Sequence, residues 1–179
     1  MSGASPARGS WLAAFVAETT DIQAVIWQSD LRGFTPMADR LPSADLIALL
    51  NSFFDCQVPA IAEHGGEMLK FLGDGLLAIF PVADAQSVVK TCNAALAAAR
   101  AMDTAIAAAP EEMHYGLALH IGQVSYGNIG GGDRLDFTCI GPAVNPSMAC
   151  DPQTSMRQVR SSRRRGRGVG YVPRARSHV

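Results

Sequence analysis

The segment KFLGDGLLAIF (residues 70–80) limits the fold of this 179-residue chain more than any other stretch. An aspartate between two glycines is a strong signal for a tight turn, and the apolar runs on either side predict two paired, buried strands. Two interpretations of Asp74, at the tip of the turn, remain open. The residue serves the turn alone, or the strands hold its carboxylate in place as a ligand for a metal ion.

Helical periodicity before this hairpin predicts a long amphipathic helix. Apolar residues from Leu46 to Ile61 recur at spacings of three and four, which gives one core-facing stripe. Ser43 precedes this run as a suitable N-cap, and the His-Gly-Gly sequence at 64–66 is typical of a glycine C-cap.

The chain after the hairpin predicts a second helix and further strands. The alanine-rich segment 83–108 contains no glycine or proline and is typical of a long helix. Alternation at 115–121 predicts a strand, which residues 123–128 continue as a meander into a glycine-rich loop at 130–133. A short strand follows at 136–140, and the next five residues are typical of the entry to a third helix.

With a strand at 24–27 ahead of the first helix, the order is strand, helix, hairpin, helix, strands. This order predicts an α+β fold with a ferredoxin-like βαββαβ core rather than a run of βαβ units. We divide the chain into a lead-in at 1–20, a folded domain at 21–148 and a tail at 149–179.

Charge is divided unevenly along the chain. Residues 1–150 hold 7 Lys and Arg against 15 Asp and Glu, whereas residues 151–179 hold 8 Arg against one Asp. The basic tail is poor in large apolar residues and is expected to be disordered; binding of nucleic acid or anionic lipid is the less favoured interpretation. Four scattered cysteines without a Cys-x-x-Cys pair fit the reducing cytoplasm. No apolar run approaches the roughly 20 residues of a membrane span, and we expect no signal peptide.

Two acids fall at related places in this arrangement. Asp30 follows the first predicted strand, and Asp74 lies at the hairpin tip. In a ferredoxin-like core that strand lies beside the hairpin, so we expect the two carboxylates to converge. Two carboxylates and a backbone carbonyl suit Mg²⁺ or Mn²⁺, and a pair of such ions is typical of phosphoryl transfer. Gly33 and Thr35, both small, leave backbone amides accessible to a triphosphate.

Three segments in this order, SDLRGFT (29–35), KFLGDGLLAIF and DFTCIGPAVN (136–145), resemble the class III nucleotidyl cyclases, the adenylate and guanylate cyclase catalytic domain. The resemblance runs from about Ala24 to Asn145. It implies a homodimer joined head to tail, with the active sites at the interface. One chain supplies two metal-binding aspartates, and its partner supplies the residues that read the base and stabilise the transition state.

The resemblance assigns the metal and phosphate residues as follows. Asp30 and Asp74 bind two Mg²⁺ or Mn²⁺ ions per site, and the Leu31 carbonyl is a further ligand. The adjoining segment contributes to substrate binding through Gly33, Phe34 and Thr35.

The resemblance also assigns the base. Lys70, four residues before Asp74, implies adenine because lysine donates to the ring N1, where guanylate cyclases tend to carry glutamate. Thr138 is the second base-reading position, and Asn145 is the catalytic residue that stabilises the transition state. The implied substrate is ATP. Attack of its ribose 3′-oxygen on the α-phosphorus gives 3′,5′-cyclic AMP and pyrophosphate.

Departures from the family support an alternative function. The family usually has an arginine four residues after the asparagine, where this chain has Ala149, and Pro146 follows the asparagine directly. Beyond Asn145 the closing helix and final strands of the family are not recognisable, so the resemblance implies a domain that is incomplete at its C-terminus. The switch to arginine-rich sequence suggests a truncated or frame-shifted end. The alternative is a catalytically silent cyclase homology domain that dimerises or binds nucleotide. Arg134 and Asp136, beside the glycine-rich loop, either help to place the base-binding strand or form a surface ion pair.

Overall fold

The computed structural model describes residues 19–131, 134–145 and 156–160. The elements are, in chain order, β1 (Thr19–Leu31), α1 (Phe34–Ala38), α2 (Ser43–Glu63), β2 (Glu67–Leu72), β3 (Gly75–Pro81), α3 (Val88–Ala108), β4 (Tyr115–Gly131), β5 (Arg134–Ile140), a 3₁₀ helix (Pro142–Val144) and β6 (Met156–Arg160).

The central sheet has the order β2-β3-β1-β4, and each neighbouring pair is antiparallel. A βαββαβ chain that places both helices on one face gives this order, so the predicted ferredoxin-like core is confirmed. The other edge of β4 pairs with two more strands, with β5 along residues 125–131 and with β6 at residues 116–119.

The local signals around the hairpin are confirmed. Gly73 has a φ of 64°, the left-handed conformation that a tight turn requires and that glycine adopts at low cost. At the end of α2, Gly65 has a φ of 78° and donates to the Ala62 carbonyl at 3.0 Å, while Gly66 donates to Ile61 at 2.9 Å. These two bonds form the Schellman cap that the His-Gly-Gly sequence predicts.

Both helix starts differ from the prediction. Pro42, with extended backbone, is the cap residue of α2, and Ser43 is the first helical residue with no capping bond from its side chain. The second long helix begins at Val88 rather than at 83 because Asp84 and Ser87 bond to each other's backbone. Such local bonds offer the chain an alternative to the helix.

The strands after α3 also differ from the prediction. The expected strand and meander form one 17-residue strand, β4. The expected entry to a third helix forms a 3₁₀ turn at Pro142–Val144, and the residues that would continue that helix lie outside the described part of the chain. Strand β6 lies inside the segment 149–179 that composition predicts to be disordered. Pairing with β4 satisfies the backbone groups of β6 that face that strand. The other residues of the lead-in and tail, Ala149 included, lie outside the described part of the chain.

Strands β1 and β3 are buried on both faces, which explains their unbroken apolar sequences. Alternate residues face α2 and α3 in the larger core, which includes Val25, Trp27, Phe53, Ala78, Phe80 and Met102. The opposite face holds a smaller core of Ala24, Ile26, Leu77, Ile79, Val124, Cys139 and Ala143. Strand β5 and the 3₁₀ helix contribute to the smaller core, so the sheet curls over the face that the helices leave open.

Helix α2 presents an apolar outer surface as well as a core-facing one. Its length and mean hydropathy would suffice to cross a membrane, and only 22% of its most apolar window is buried. Phe53, Ala60 and Ile61 nevertheless pack into the larger core, as in a helix of a globular domain. Outside that contact Ile47 is 56% exposed.

Candidate active site

The sheet brings the backbones of the two predicted metal ligands together. Asp30, one residue before the end of β1, lies opposite Gly75, the residue that follows Asp74. The Leu31 amide donates to the Asp74 carbonyl oxygen at 3.3 Å. Asp30 and Asp74 therefore share one end of the β1–β3 pair, as the two-acid prediction requires.

Glycines on both neighbouring strands make room for Asp30. On β3, a Cβ at Gly75 would collide with the Ser29 carbonyl oxygen. On β4, a Cβ at Gly116 would lie 2.5 Å from Asp30 Oδ1 and would also collide with the Arg32 guanidinium. The space that a side chain would fill at Gly116 is thus occupied by the functional groups of the site.

Arg32 sets the electrostatics of this end of the sheet. Its Nη1 lies 3.6 Å from Asp30 Oδ2, with both side chains half-exposed. Its backbone amide donates to the His114 carbonyl at 2.8 Å, which fixes the chain just after β1. The guanidinium offsets part of the negative charge that two neighbouring carboxylates create.

The donors at this site fit a hard divalent cation. Two carboxylates and the Leu31 carbonyl offer oxygen atoms only, the ligands that Mg²⁺ and Mn²⁺ prefer. Within 19–131, 134–145 and 156–160, no three His, Cys, Asp or Glu side chains come close enough to hold a metal ion. A cation here would depend on two acidic ligands and on oxygens from water or substrate, which is how Mg²⁺ is usually held beside phosphates.

The predicted phosphate segment forms the start of α1. Gly33 precedes this short helix with a φ of 74°, and nothing lies within 4 Å of where its Cβ would be. Thr35 is exposed, whereas Phe34 packs against the larger core. The side chain of Phe34 thus anchors the segment, and the backbone beside it faces open space.

A β-bulge determines where Lys70 points. The register of β2 on β3 shifts between Met68 and Lys70, so that Lys70 lies opposite Leu77. Leu77 belongs to the smaller core, on the face away from the helices. In an unbroken register Lys70 would oppose Leu76, which faces the helices, so the bulge redirects the lysine to the side where β5 lies.

Lys70 meets β5 across the curled sheet. Its Nζ lies 2.6 Å from Asp136 Oδ2, although β2 and β5 are at opposite ends of the strand order. Thr138, the second predicted base-reading position, is two residues further along β5, on the same face as Asp136, and is buried. Of the two roles that the sequence leaves open for Asp136, an ion pair is observed, and its partner is Lys70, the lysine that the resemblance assigns to the base.

Asn145 follows the 3₁₀ helix and is exposed. Gln28 of β1 holds the preceding residue, since its Nε2 donates to the Val144 carbonyl at 2.8 Å. This contact fixes the backbone from which the predicted catalytic side chain projects.

Residues 16–165 match the sequence model of the adenylate and guanylate cyclase catalytic domain. The chain belongs to this cyclase family. The resemblance carried by the three segments of the sequence is thereby confirmed.

Curated relatives of this cyclase domain include two uncharacterized proteins of Mycobacterium tuberculosis. One is 36% identical over 125 residues, which cover 70% of this chain and 23% of the relative. The other is 37% identical over 116 residues, which cover 65% of this chain and 20% of the relative. The cyclase domain therefore spans less than a quarter of the length of these relatives.

Solved structures of both adenylyl and guanylyl cyclases resemble the domain. The adenylyl cyclase CyaB from P. aeruginosa has a TM-score of 0.66 and 25% identity, over 76% of this chain and 74% of that one. The guanylyl cyclase Cya2 has a TM-score of 0.56 and 27% identity, over 76% and 72%. A guanylate cyclase domain from Catenaria anguillulae, at 18% identity and a TM-score of 0.63 over 75% of each chain, shares the fold. The fold is common to both specificities, so the base depends on individual residues.

A buried polar cluster supports the cyclase site from behind. Gln57 of α2 is fully buried; its Oε1 accepts from Ser29 Oγ at 2.5 Å and from Trp27 Nε1 at 3.4 Å. Its Nε2 donates to the Phe53 carbonyl at 3.3 Å. These hydrogen bonds link α2 to Trp27 and Ser29, which precede Asp30 in β1. They therefore hold in place the strand that carries Asp30.

Sequence reasoning missed four residues that contact or support the candidate site: Gln28, Arg32, Gln57 and Gly116. Only Arg32 carried a local signal, because it lies two residues after a predicted ligand. The other three act across elements that are distant in sequence, and no local pattern marks them.

Proposed function

We propose that this cyclase domain is an adenylate cyclase, which converts ATP to 3′,5′-cyclic AMP and pyrophosphate at sites shared between two copies of the chain. The observation that carries the proposal is the bulge that turns Lys70 toward Thr138 and its strand. A lysine ammonium donates only, and the N1 of adenine accepts, whereas the N1 of guanine carries a hydrogen.

The chain's own residues bind and orient the nucleotide. Lys70 and the Thr138 hydroxyl hold the base, and the backbone at Gly33 and Thr35 lies beside the triphosphate. Asn145 donates to the reacting ribose and phosphate as charge develops in the transition state. The ribose 3′-oxygen forms a bond to the α-phosphorus, and the bond from that phosphorus to the oxygen between the α- and β-phosphates breaks. Pyrophosphate leaves with that oxygen, and the proton of the 3′-hydroxyl passes to solvent.

Asp30, Asp74 and the Leu31 carbonyl are the groups that would hold Mg²⁺ or Mn²⁺. Two such ions would lower the pKa of the 3′-hydroxyl and offset the charge on the triphosphate. No protein nucleophile is required, so the residues act by positioning and by electrostatic stabilisation.

The exposed apolar surface supports a dimer. Phe71 and Leu72 at the end of β2 are 48% and 49% exposed, and Phe71 packs on Phe54 of α2 with ring centroids 4.3 Å apart. Ile47, seven residues before Phe54 and therefore on the same face of α2, is also exposed. Exposed large apolar side chains grouped in this way are typical of a protein interface. A cytoplasmic location stays a prediction.

The test is the production of cyclic nucleotide from ATP and from GTP with Mg²⁺ or Mn²⁺. We expect cyclic AMP from ATP, loss of activity in Asp30→Asn and Asp74→Asn, and a weakened use of ATP in Lys70→Glu. Circular dichroism should show that the variants remain folded, since both acids are partly exposed at a strand end. Failure of the wild-type chain to form either product would contradict the proposal.

A silent cyclase homology domain is the second candidate, because Ala149 stands where the family usually has an arginine. The two candidates differ in one measurement. A silent domain would bind 3′-deoxy-ATP, which lacks the attacking hydroxyl, yet form no product from ATP.

A further inference from the structure

We infer that Gln28 is a positioning residue, which holds the turn at 142–145 on the sheet so that Asn145 reaches the reacting ribose and phosphate. The inference rests on the proposed function, since that function gives Asn145 its role in the transition state.

Local hydrogen bonds give this turn its shape but not its place. The Val144 amide donates to the Gly141 carbonyl at 3.0 Å, and the Asn145 amide donates to the Pro142 carbonyl at 3.2 Å. Both bonds lie inside a five-residue stretch, around a 3₁₀ helix of three residues. Bonds inside the turn move with it, so contacts with other elements decide where it lies.

Packing on β4 sets how closely the turn approaches the sheet. Ala143 is buried and belongs to the smaller core. A Cβ added at Gly122 of β4 would lie 2.5 Å from the Ala143 Cβ, so the turn lies directly on the strand. An apolar contact of this kind has no direction, and it leaves the orientation of the residues that follow to other contacts.

Gln28 supplies a directional contact. Its Nε2 donates to the Val144 carbonyl at 2.8 Å, across 116 residues of sequence. That carbonyl and the amide nitrogen of Asn145 belong to one planar peptide unit. The bond therefore fixes the orientation of the peptide plane that leads into Asn145.

The contact starts on the strand that carries a predicted metal ligand. Gln28 lies two residues before Asp30 on β1, so the two side chains are on the same face of the sheet. Leu77, opposite Gln28 on β3, belongs to the smaller core, which is the face on which the turn packs. In the proposed dimer Asp30 and Asn145 of one chain serve opposite sites, so this one strand places a group in each.

The test replaces Gln28 by side chains of similar length that do not donate. These are Met, which has no N–H or O–H, and ionised Glu, which only accepts. Gln23→Met is the matched control, because Gln23 is another half-buried glutamine of β1 and its side chain makes no hydrogen bond within the described residues. The kcat and KM of cyclic AMP formation and the affinity for Mn²⁺ are measured, and circular dichroism checks the fold.

We expect kcat to fall about tenfold in Gln28→Met and Gln28→Glu, because displacement of a positioned group by a fraction of an ångström costs this much in rate. KM for ATP and the affinity for Mn²⁺ should stay within about twofold of wild type, since the groups that bind base and metal are unchanged. Gln23→Met should keep the wild-type kcat.

A second measurement separates positioning from a general loss of structure. In an Asn145→Ala background, Gln28→Met should change kcat by less than about twofold, because the group that Gln28 positions is gone. A further loss of about tenfold in that background would overturn the inference.

Three other outcomes would overturn the inference and leave the proposed function standing. They are a wild-type kcat in both Gln28 variants, unfolding of both variants, and a loss of Mn²⁺ affinity, which would show that Gln28 acts on Asp30 instead. A wild-type chain that forms no cyclic nucleotide would overturn the proposed function and this inference with it.

Discussion

Gly75 and Gly116 lie on either side of Asp30, one on β3 and one on β4. An added methyl group would meet different obstacles at the two positions. At Gly75 the obstacle is the Ser29 backbone carbonyl, which cannot move without disturbing the sheet. At Gly116 the obstacles are the ends of the Asp30 and Arg32 side chains, which can rotate away.

The two glycines should therefore separate stability from metal binding. We expect Gly75→Ala to lower the free energy of unfolding by about 2–3 kcal/mol, and Gly116→Ala by less than about 1 kcal/mol. Gly116→Ala should instead weaken Mn²⁺ binding, because it displaces the Asp30 carboxylate. Urea unfolding and Mn²⁺ titration followed by electron paramagnetic resonance measure the two effects.

The result that would contradict this reading is a Gly116→Ala protein with wild-type Mn²⁺ affinity. Lower stability in Gly116→Ala than in Gly75→Ala would contradict the distinction between a fixed backbone oxygen and movable side chains.

Strands β2 and β4 are joined by a bond whose strength depends on pH. Burial, aided by the hydrogen bond to Glu67, raises the pKa of the Tyr126 hydroxyl to about 12. In an unfolded chain this pKa is about 10. Between these values the folded protein keeps a proton that the unfolded chain loses, so the free energy of unfolding falls as pH rises through this window.

Tyr126→Phe should make that fall less steep. Tyr115, whose pKa is also raised, chiefly by burial and then by Asp103, is present in both proteins and gives both a slope of the same sign. The difference in slope between pH about 10 and about 12 therefore isolates Tyr126. Urea unfolding at several pH values in this window measures it, and equal slopes would show that the Tyr126–Glu67 bond does not contribute.

The redox chemistry of the described cysteines is expected to be slow. Burial raises the pKa of the thiols of Cys56, Cys92 and Cys139, and at Cys139 it outweighs the opposing charge of Lys70. Since the thiolate is the reactive form, these side chains behave as packing residues.

The proposed dimer makes a specific prediction about mixed chains. If Asp30 of one copy acts with Lys70 of the other, Asp30→Asn and Lys70→Glu damage opposite halves of the site. Random pairing of the two variants makes half of the dimers mixed, each with one intact site, so activity should recover to about a quarter of wild type. Cyclic AMP formed from ATP by the mixture measures the recovery.

A mixture of Asp30→Asn with Asp74→Asn is the matched control, because both changes damage the same half and no mixed dimer has an intact site. Light scattering should show a dimer mass for every sample. Recovery in the control mixture as large as in the test mixture would contradict a shared site, and so would no recovery in the test mixture.

Local chemistry in the sequence predicted much of the fold. The turn at Gly73, the Schellman cap at the end of α2 and the apolar runs of β1 and β3 depend on residues that are close in the chain. Helix starts were less well predicted because side chains such as Asp84 and Ser87 compete for the same backbone groups.

The sequence alone predicted three parts of the site: the turn around Asp74, the nearness of Asp30 on the adjacent strand, and Lys70. Turn chemistry, strand order and family motifs are properties of the linear sequence. The sequence did not predict the partner of Lys70. A one-residue bulge in β2 and the curl of the six-stranded sheet bring Lys70 into contact with Asp136, 66 residues away. The tertiary structure also forms the hydrogen bonds of Gln28 with Val144 and of Gln57 with Ser29. Such contacts depend on how the strands twist and on their register relative to one another, and the periodicity of the sequence predicts neither.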